Sequence, residues 1–141
     1  MAAIREFTPK NPNKYVGSSP IVSRSSWELF FMRKLDLDPR VIRWASESLA
    51  IPYISPMDGK RHKYYPDFIV EFQTPKGIVK EIIELKPMKE CLPGTAKKPK
   101  ARAYQDMVYL KNQAKWEAAK VLCEDNGFQF RVLTEKELFG K

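Results

Sequence analysis

The chain has 141 residues, a formal net charge of +8, 43% hydrophobic residues and 12% aromatic residues. That length suits one domain able to bury a core, and that hydrophobicity excludes a disordered chain. No apolar run approaches the ~18 residues that span a bilayer, and Met1 to Lys14 is polar with no apolar block behind its charges, so neither a membrane protein nor a secretory leader is expected.

Residues 1–23 carry Pro9, Pro12, Gly17 and Pro20 among polar residues and read as an irregular N-terminal arm ahead of a domain over 24–141. Ser25 and Ser26 are good N-caps for a helix running through Trp27 to Leu35, which Pro39 closes. A strand is expected over Glu47–Tyr53, with Pro52 marking a sheet edge or strand end. Asp58-Gly59 turns the chain into a second strand, Tyr64–Phe72. Thr74-Pro75-Lys76-Gly77 turns it again into a third, Ile78–Leu85. Three strands joined by short turns predict an antiparallel meander. Helical character returns from Ala101 to about Asp125 and stops at Gly127. Phe128–Leu133 alternates like a short strand, and Thr134 to Glu137 has capping-box spacing for a last helical turn. The order α, β, β, β, α, β, α describes an α/β fold, a central mixed sheet flanked by helices.

Charge and sulfur are both informative. Lys86, Lys89, Lys97, Lys98, Lys100 and Arg102 face a single acid, Glu90, between Lys86 and Tyr104, so this stretch holds most of the excess charge. Pro87, Pro93, Gly94 and Pro99 make it a loop. A basic, kinked loop attracts a phosphate backbone, although a solvated surface loop has the same composition. Cys91 and Cys123 lie apart with no CxxC spacing, and His62 is the only histidine. A structural zinc site is therefore not expected; two reduced thiols in an intracellular protein are. His62, within Lys60-Arg61-His62-Lys63, reads as an exposed turn residue or at most a phosphate contact.

Four features line up as chemistry: Glu28 on the first helix, Asp67 in the second strand, Glu84-Leu85-Lys86 closing the third, and the basic loop that follows. Magnesium takes hard oxygen ligands. Asp67 and Glu84 on consecutive strands would converge on one ion, with the Leu85 carbonyl as a further ligand and Glu28 completing the shell, directly or through water. Residues two apart on a strand share a face, which sets the Lys86 ammonium beside the metal. There it would hold the attacking water and stabilise developing charge. Each residue also has a plainer use. Ser25-Ser26-Trp27-Glu28 is a capping box, and Glu84 with Lys86 fits a surface salt bridge. Asp67 among Tyr64, Tyr65, Phe68, Ile69 and Val70 resists such an account, because a buried unpaired carboxylate is costly.

Pro66-Asp67 followed by Glu84-x-Lys86 resembles the signature of the PD-(D/E)XK nuclease superfamily. Arg24-Ser25-Ser26-Trp27-Glu28, Ile51-Pro52-Tyr53, Tyr65-Pro66-Asp67-Phe68, Glu84-Leu85-Lys86-Pro87 and Asn112-Gln113-Ala114-Lys115-Trp116 resemble the head completion nucleases of tailed phages, relatives of TnsA-like endonucleases. The resemblance runs from about Asn11 to Leu138. It implies a restriction-endonuclease-like fold and Mg²⁺-dependent hydrolysis of phage DNA, with Mn²⁺ able to substitute. Glu28, Asp67, Glu84 and Lys86 would be catalytic, and Asp67, Glu84, Leu85 and Glu28 would hold the metal. DNA contacts are expected from Arg24, Lys89, Lys97, Lys98, Lys100, Arg102, Lys111 and Lys115. The partners implied are DNA and head or portal-neck proteins, in the host cytoplasm or with the virion, and no membrane. Cutting both strands with one site per chain would call for a homodimer. Two other classes fit the same residues: a virion structural or DNA-end-binding protein that keeps the fold without turnover, and a transposon-end or junction-cleaving endonuclease.

Periodicity of 100° per residue along the second helix, counted from Tyr104, predicts Asp106, Gln113, Glu117, Lys120 and Glu124 on a solvent face. Tyr104, Val108, Ala118 and Leu122 fall opposite, together with Lys111 and Lys115. Two lysines on a buried face call for a reason. Snorkelling is one; reach by Lys115 toward Glu84 and Asp67 is the other.

Overall fold

Alternation of period two along two neighbouring segments sets the architecture. In a computed structural model, which describes residues 4–140, these segments are strands Phe68–Thr74 and Gly77–Leu85. Phe68, Val70, Ile83 and Leu85 belong to one buried cluster, and Ile69 and Ile82 to another, so the sheet is covered on both faces. Thr74 and Gly77 close the antiparallel pair, and Gly77 takes a φ of 119°, which favours glycine.

In chain order the strands are β1 (Arg5–Glu6), β2 (Val22–Ser23), β3 (Val41–Ser46), β4 (Ile51–Ile54), β5 (Arg61–Tyr64), β6 (Phe68–Thr74), β7 (Gly77–Leu85) and β8 (Gln129–Leu133). The helices are α1 (Ser26–Leu37), α2 (Pro99–Asn126) and α3 (Glu135–Phe139). The central sheet runs β3-β6-β7-β8, with β8 parallel to β7 and the other pairs antiparallel. This is the expected mixed sheet. α1 packs Phe31, Met32 and Leu35 on one face, and α2 packs Trp116, Ala119 and Cys123 on the other. The caps follow the expected chemistry: Ser25 Oγ accepts from Glu28 N, Gly127 ends α2 in the left-handed region, and Thr134 and Glu137 form a capping box.

Three strand expectations change. The edge strand beside β6 is β3, which was not anticipated, because Val41–Ser46 has no clean alternation: Trp44 and Ala45 are both buried. The expected strand over Glu47–Tyr53 is the shorter β4. It leaves the sheet and pairs only with β5. The expected strand Tyr64–Phe72 is broken at Tyr65–Asp67, where Pro66 cannot donate to a ladder. The meander is therefore β3-β6-β7, with the β4–β5 hairpin inserted between its first two strands.

Two further segments are more ordered than their composition suggests. The stretch after Lys86 contains a 3-10 turn at Met88–Cys91, and α2 starts at Pro99, so Lys100 and Arg102 are helical. The segment read as an irregular arm pairs β1 with β2 and contains a 3-10 turn at Pro12–Lys14. Phe7 and Ile21 sit in the core, Phe7 edge-on to Trp44 at 6.1 Å. The Asp36 carboxylate, buried at the end of α1, accepts from the backbone N–H groups of Lys10 and Asn11 at 2.8 and 2.9 Å. Phe7→Ala should therefore cost about 3 kcal/mol, read as a lower denaturant midpoint at unchanged slope. A variant as stable as the parent would reduce the arm to an appendage.

Candidate active site

The break at Pro66 places the key carboxylate. β6 and β7 pair Phe68 with Ile83, and one step further along that register sets Asp67 opposite Glu84. Asp67, Ile82, Glu84 and Lys86 share the parity that faces α2. Glu84 is only 6% exposed and Asp67 is half-buried. The two are cross-braced. Leu85 N donates to Asp67 Oδ2 at 2.8 Å, and Asp67 N donates to Glu84 Oε1 at 3.3 Å. Tyr64 Oη donates to the same Oε1 at 2.8 Å. These bonds leave Asp67 Oδ1 and Glu84 Oε2 as the oxygens without a backbone donor. Lys86 Nζ lies 3.5 Å from Glu84 Oε2.

The electrostatics are those of two acids sharing a dry site. Burial, then the charge of Glu84, pushes the Asp67 carboxyl up to about 8, against the opposing pull of the Leu85 N–H. Burial also raises Glu84, with Lys86 the main opposing influence, followed by Tyr64, the Asp67 N–H and Lys115. Tyr64 is kept protonated, first by burial and then by Glu84, which suits a donor. Two neighbouring carboxylates fit magnesium, which is commonly held by one or two carboxylates and otherwise by water.

Glu28 departs from expectation. Among the described residues no three Asp, Glu, His or Cys side chains are gathered closely enough to hold a metal ion. Glu28 Oε1 instead accepts from Arg24 N at 3.1 Å, a variant of the capping arrangement. It still feels the site: burial raises its carboxyl, and the charges of Glu47 and Glu84 add to the effect. Leu85 contributes an N–H to Asp67.

The expected DNA-contacting residues separate. Lys97, Lys98, Lys100 and Lys111 are exposed, and so is Lys89, which lines a groove between the basic stretch and α2. Arg102 pairs with Asp106 at 3.4 Å, and Arg24 pairs with Glu47. Lys115 is half-buried with Nζ 5.7 Å from the Tyr64 ring centroid, so one aromatic ring links it to Glu84. Burial lowers its ammonium, helped by Lys111 and Lys86 and opposed by Glu84 and Asp67. The expected helical wheel holds in part: Glu117, Lys120 and Glu124 are exposed, and Ala118 and Leu122 pack against the core. The buried face of α2 is Asn112, Trp116, Ala119 and Cys123, while Tyr104 is 65% exposed. Gln113 and Asp106 are half-buried, and Asp106 Oδ1 accepts from Gly94 N at 2.8 Å. The first turns of α2 carry apolar residues that do not face the sheet, so phasing from Tyr104 misled.

Two residues at the site were missed. Tyr64 was read only as a strand aromatic, and nothing in its sequence context marks the hydroxyl. Glu47 follows β3 with a φ of 44°, unusual for a side chain of this type. Its N–H donates to the Asp67 carbonyl at 3.0 Å, and its carboxylate takes Arg24.

Two measurements follow from this network. Between its ordinary value of 3.8 and about 8, folded Asp67 holds a proton that the unfolded chain has lost. Its contribution to stability therefore falls as pH rises through that window, by at most about 1.4 kcal/mol per pH unit. Metal-free Asp67→Asn should gain on the parent between pH 5 and pH 8 in chemical denaturation; a constant gap would mean that Asp67 ionises freely. Tyr64→Phe removes one donor from Glu84 and should cost about 1–3 kcal/mol. It should also raise the Glu84 titration midpoint followed by carboxyl ¹³C resonance, and an unmoved midpoint would remove Tyr64 from the site.

Comparison with known proteins identifies the family. The family described as "TnsA-like endonuclease N terminal" matches residues 38–135, a span that holds Asp67, Glu84 and Lys86. The chain is 36% identical to the "Head completion nuclease" of Enterobacteria phage T4 over 148 aligned positions, covering 98% of this chain and 95% of the relative. No solved structure matches significantly. The shared span, the near full-length identity and the restriction-endonuclease-like arrangement of α1, the mixed sheet and α2 lead to one conclusion: the chain belongs to the TnsA-like endonuclease family.

Proposed function

We propose that this chain is a DNA endonuclease that depends on Mg²⁺, or on Mn²⁺ in its place, and acts on phage DNA during head completion. The observation that supports this reading is the braced pair of Asp67 and Glu84 with Lys86 Nζ 3.5 Å from Glu84 Oε2. A binding module has no use for two adjacent acids at a surface meant for phosphates, because they repel the ligand. A divalent cation between them would neutralise that repulsion, polarise the phosphate and lower the pKa of a water molecule.

The chain's own residues divide the remaining work. Asp67 Oδ1 and Glu84 Oε2 would hold the cation. The Leu85 carbonyl is a third donor, and Glu28 is a fourth once its side chain leaves Arg24 N. Lys86 orients the attacking water and balances charge that develops on the phosphate. Lys115, seated over Tyr64, adds a second ammonium to the same pocket. Arg24, Lys89, Lys97, Lys98, Lys100, Arg102 and Lys111 supply backbone affinity, which is largely electrostatic. The partner in this reading is DNA, with head or portal-neck proteins directing the enzyme to it in the host cytoplasm or on the virion. Cleavage of both strands would pair two copies of the chain. The head-completion part of the reading rests on the name of the T4 relative.

The test is plasmid cleavage in Mg²⁺, in Mn²⁺ and in EDTA. Asp67→Ala and Glu84→Ala should abolish cutting while the metal-free protein stays folded, read by circular dichroism. Mg²⁺ should raise the melting temperature of the parent and leave both variants unmoved. Glu28→Gln keeps an acceptor for Arg24 N but is a poor metal ligand, so cutting should fall steeply at unchanged stability. Full activity in Asp67→Ala and Glu84→Ala would sink the assignment.

A further inference from the structure

The β4–β5 hairpin has an outer face that the active site does not use. Its register pairs Ile51 with Tyr64, Pro52 with Lys63, Tyr53 with His62 and Ile54 with Arg61. Ile51, Tyr53 and Tyr64 are 1%, 6% and 3% exposed and pack with Trp116, Ala119 and Cys123 of α2. By alternation the other face carries Pro52, Ile54, Arg61 and Lys63, with Lys60 at the turn. Arg61, Lys63 and Lys60 are all exposed. Among the described residues none of the three forms an ion pair. The hairpin's one acid, Asp58, is already engaged. Its Oδ1 accepts from Lys60 N at 2.9 Å, and its Oδ2 contacts His62 Nε2 at 2.8 Å.

We propose that Arg61 and Lys63 on this outer face, with Lys60 at the turn, form a DNA-backbone site, distinct from the Lys89–Arg102 stretch, and this inference rests on the endonuclease reading. A merely solvated face would interleave acids with its cations, and this one carries none. The hairpin is held, not loose: its inner face is core, and its base is Tyr64, whose hydroxyl bonds Glu84. Lys63 is thus one residue from the catalytic network. From Tyr64 out to Lys60 the strand spans roughly 13 Å at about 3.3 Å per residue. That reach matches roughly four base-pair steps of duplex at about 3.4 Å each. Cations placed along it would grip phosphates flanking the one at Asp67 and Glu84, and so set the duplex on the site.

The experiment is fluorescence anisotropy of a labelled duplex across a KCl series in EDTA. It compares the parent, a variant combining Lys60→Gln, Arg61→Gln and Lys63→Gln, and Lys76→Gln. Lys76 is exposed in the β6–β7 turn, at the far end of the sheet from Asp67. Neutralising the hairpin should flatten log affinity against log salt by about 0.9 per lost phosphate contact, up to about 2.7 for three. Lys76→Gln should keep the parental slope. A hairpin variant with the parental slope, in a protein whose parent binds duplex and cuts plasmid in Mg²⁺, overturns the hairpin site alone. A parent that binds no duplex at any salt concentration overturns the hairpin site and the endonuclease reading together.

Discussion

Two carboxylates side by side in a dry pocket are the constraint to which the rest of this molecule answers. Asp67 and Glu84 repel each other, and burial penalises both charges. The fold tolerates them because each braces the other's backbone: the Leu85 N–H holds Asp67, while the Asp67 N–H and Tyr64 hydroxyl hold Glu84. The bracing exists only because β6 and β7 are in register and because Pro66 interrupts the chain one residue before Asp67. A continuous strand would spend the Asp67 N–H on a ladder bond. The break releases it to the carboxylate opposite.

The surroundings are arranged about that pair. α1 and α2 lie on opposite faces of the sheet, so Glu28 approaches from one side and Lys115 from the other. Lys86 follows Glu84 on the same strand face. Lys86 and Lys115 both lower the Glu84 carboxyl, which offsets part of the repulsion without neutralising it. Arg24 pairs with Glu47, and Glu47 in turn gives its N–H to the Asp67 carbonyl. That chain of contacts fastens the end of β3 and the start of α1 to the segment that carries Asp67, and it gives the positive φ at Glu47 a place in the structure.

The positive charge of the chain is distributed unevenly. The Lys89–Arg102 stretch, the exposed part of α2 and the β4–β5 hairpin carry cations with few acidic partners, whereas Arg43 and Arg131 pair with Glu71 and Glu81 across strands of the central sheet. Paired cations on the sheet serve the fold. Among the described residues Lys60, Arg61, Lys63, Lys89, Lys97, Lys98 and Lys100 form no ion pair and lie on elements outside the sheet, where they remain available to a polyanion.

Local rules settled what depends on neighbours in the chain. The period of two in Phe68–Thr74 and Gly77–Leu85, the turn at Gly77, the caps at Ser25, Thr134 and Gly127, and the spacing of Glu84 and Lys86 were all legible, because each involves residues a few positions apart. The acids at 28, 67 and 84 were legible as a motif, but their cross-bracing was not. What only the tertiary structure decided involves distant partners. Val41–Ser46 becomes an edge strand by pairing with β6, and Ile51–Ile54 leaves the sheet for β5. Phe7 and Ile21 find a core around Trp44. The orientation of α2 is fixed by Trp116 and Ala119 against Ile82, not by the apolar Tyr104 at its exposed end. Tyr64 acquires its role only when β5 brings its hydroxyl to Glu84, twenty residues away. A one-dimensional pattern records which side chains prefer burial, but which surface buries them, and which donor then meets which carboxylate, is set by contacts between segments far apart in the chain.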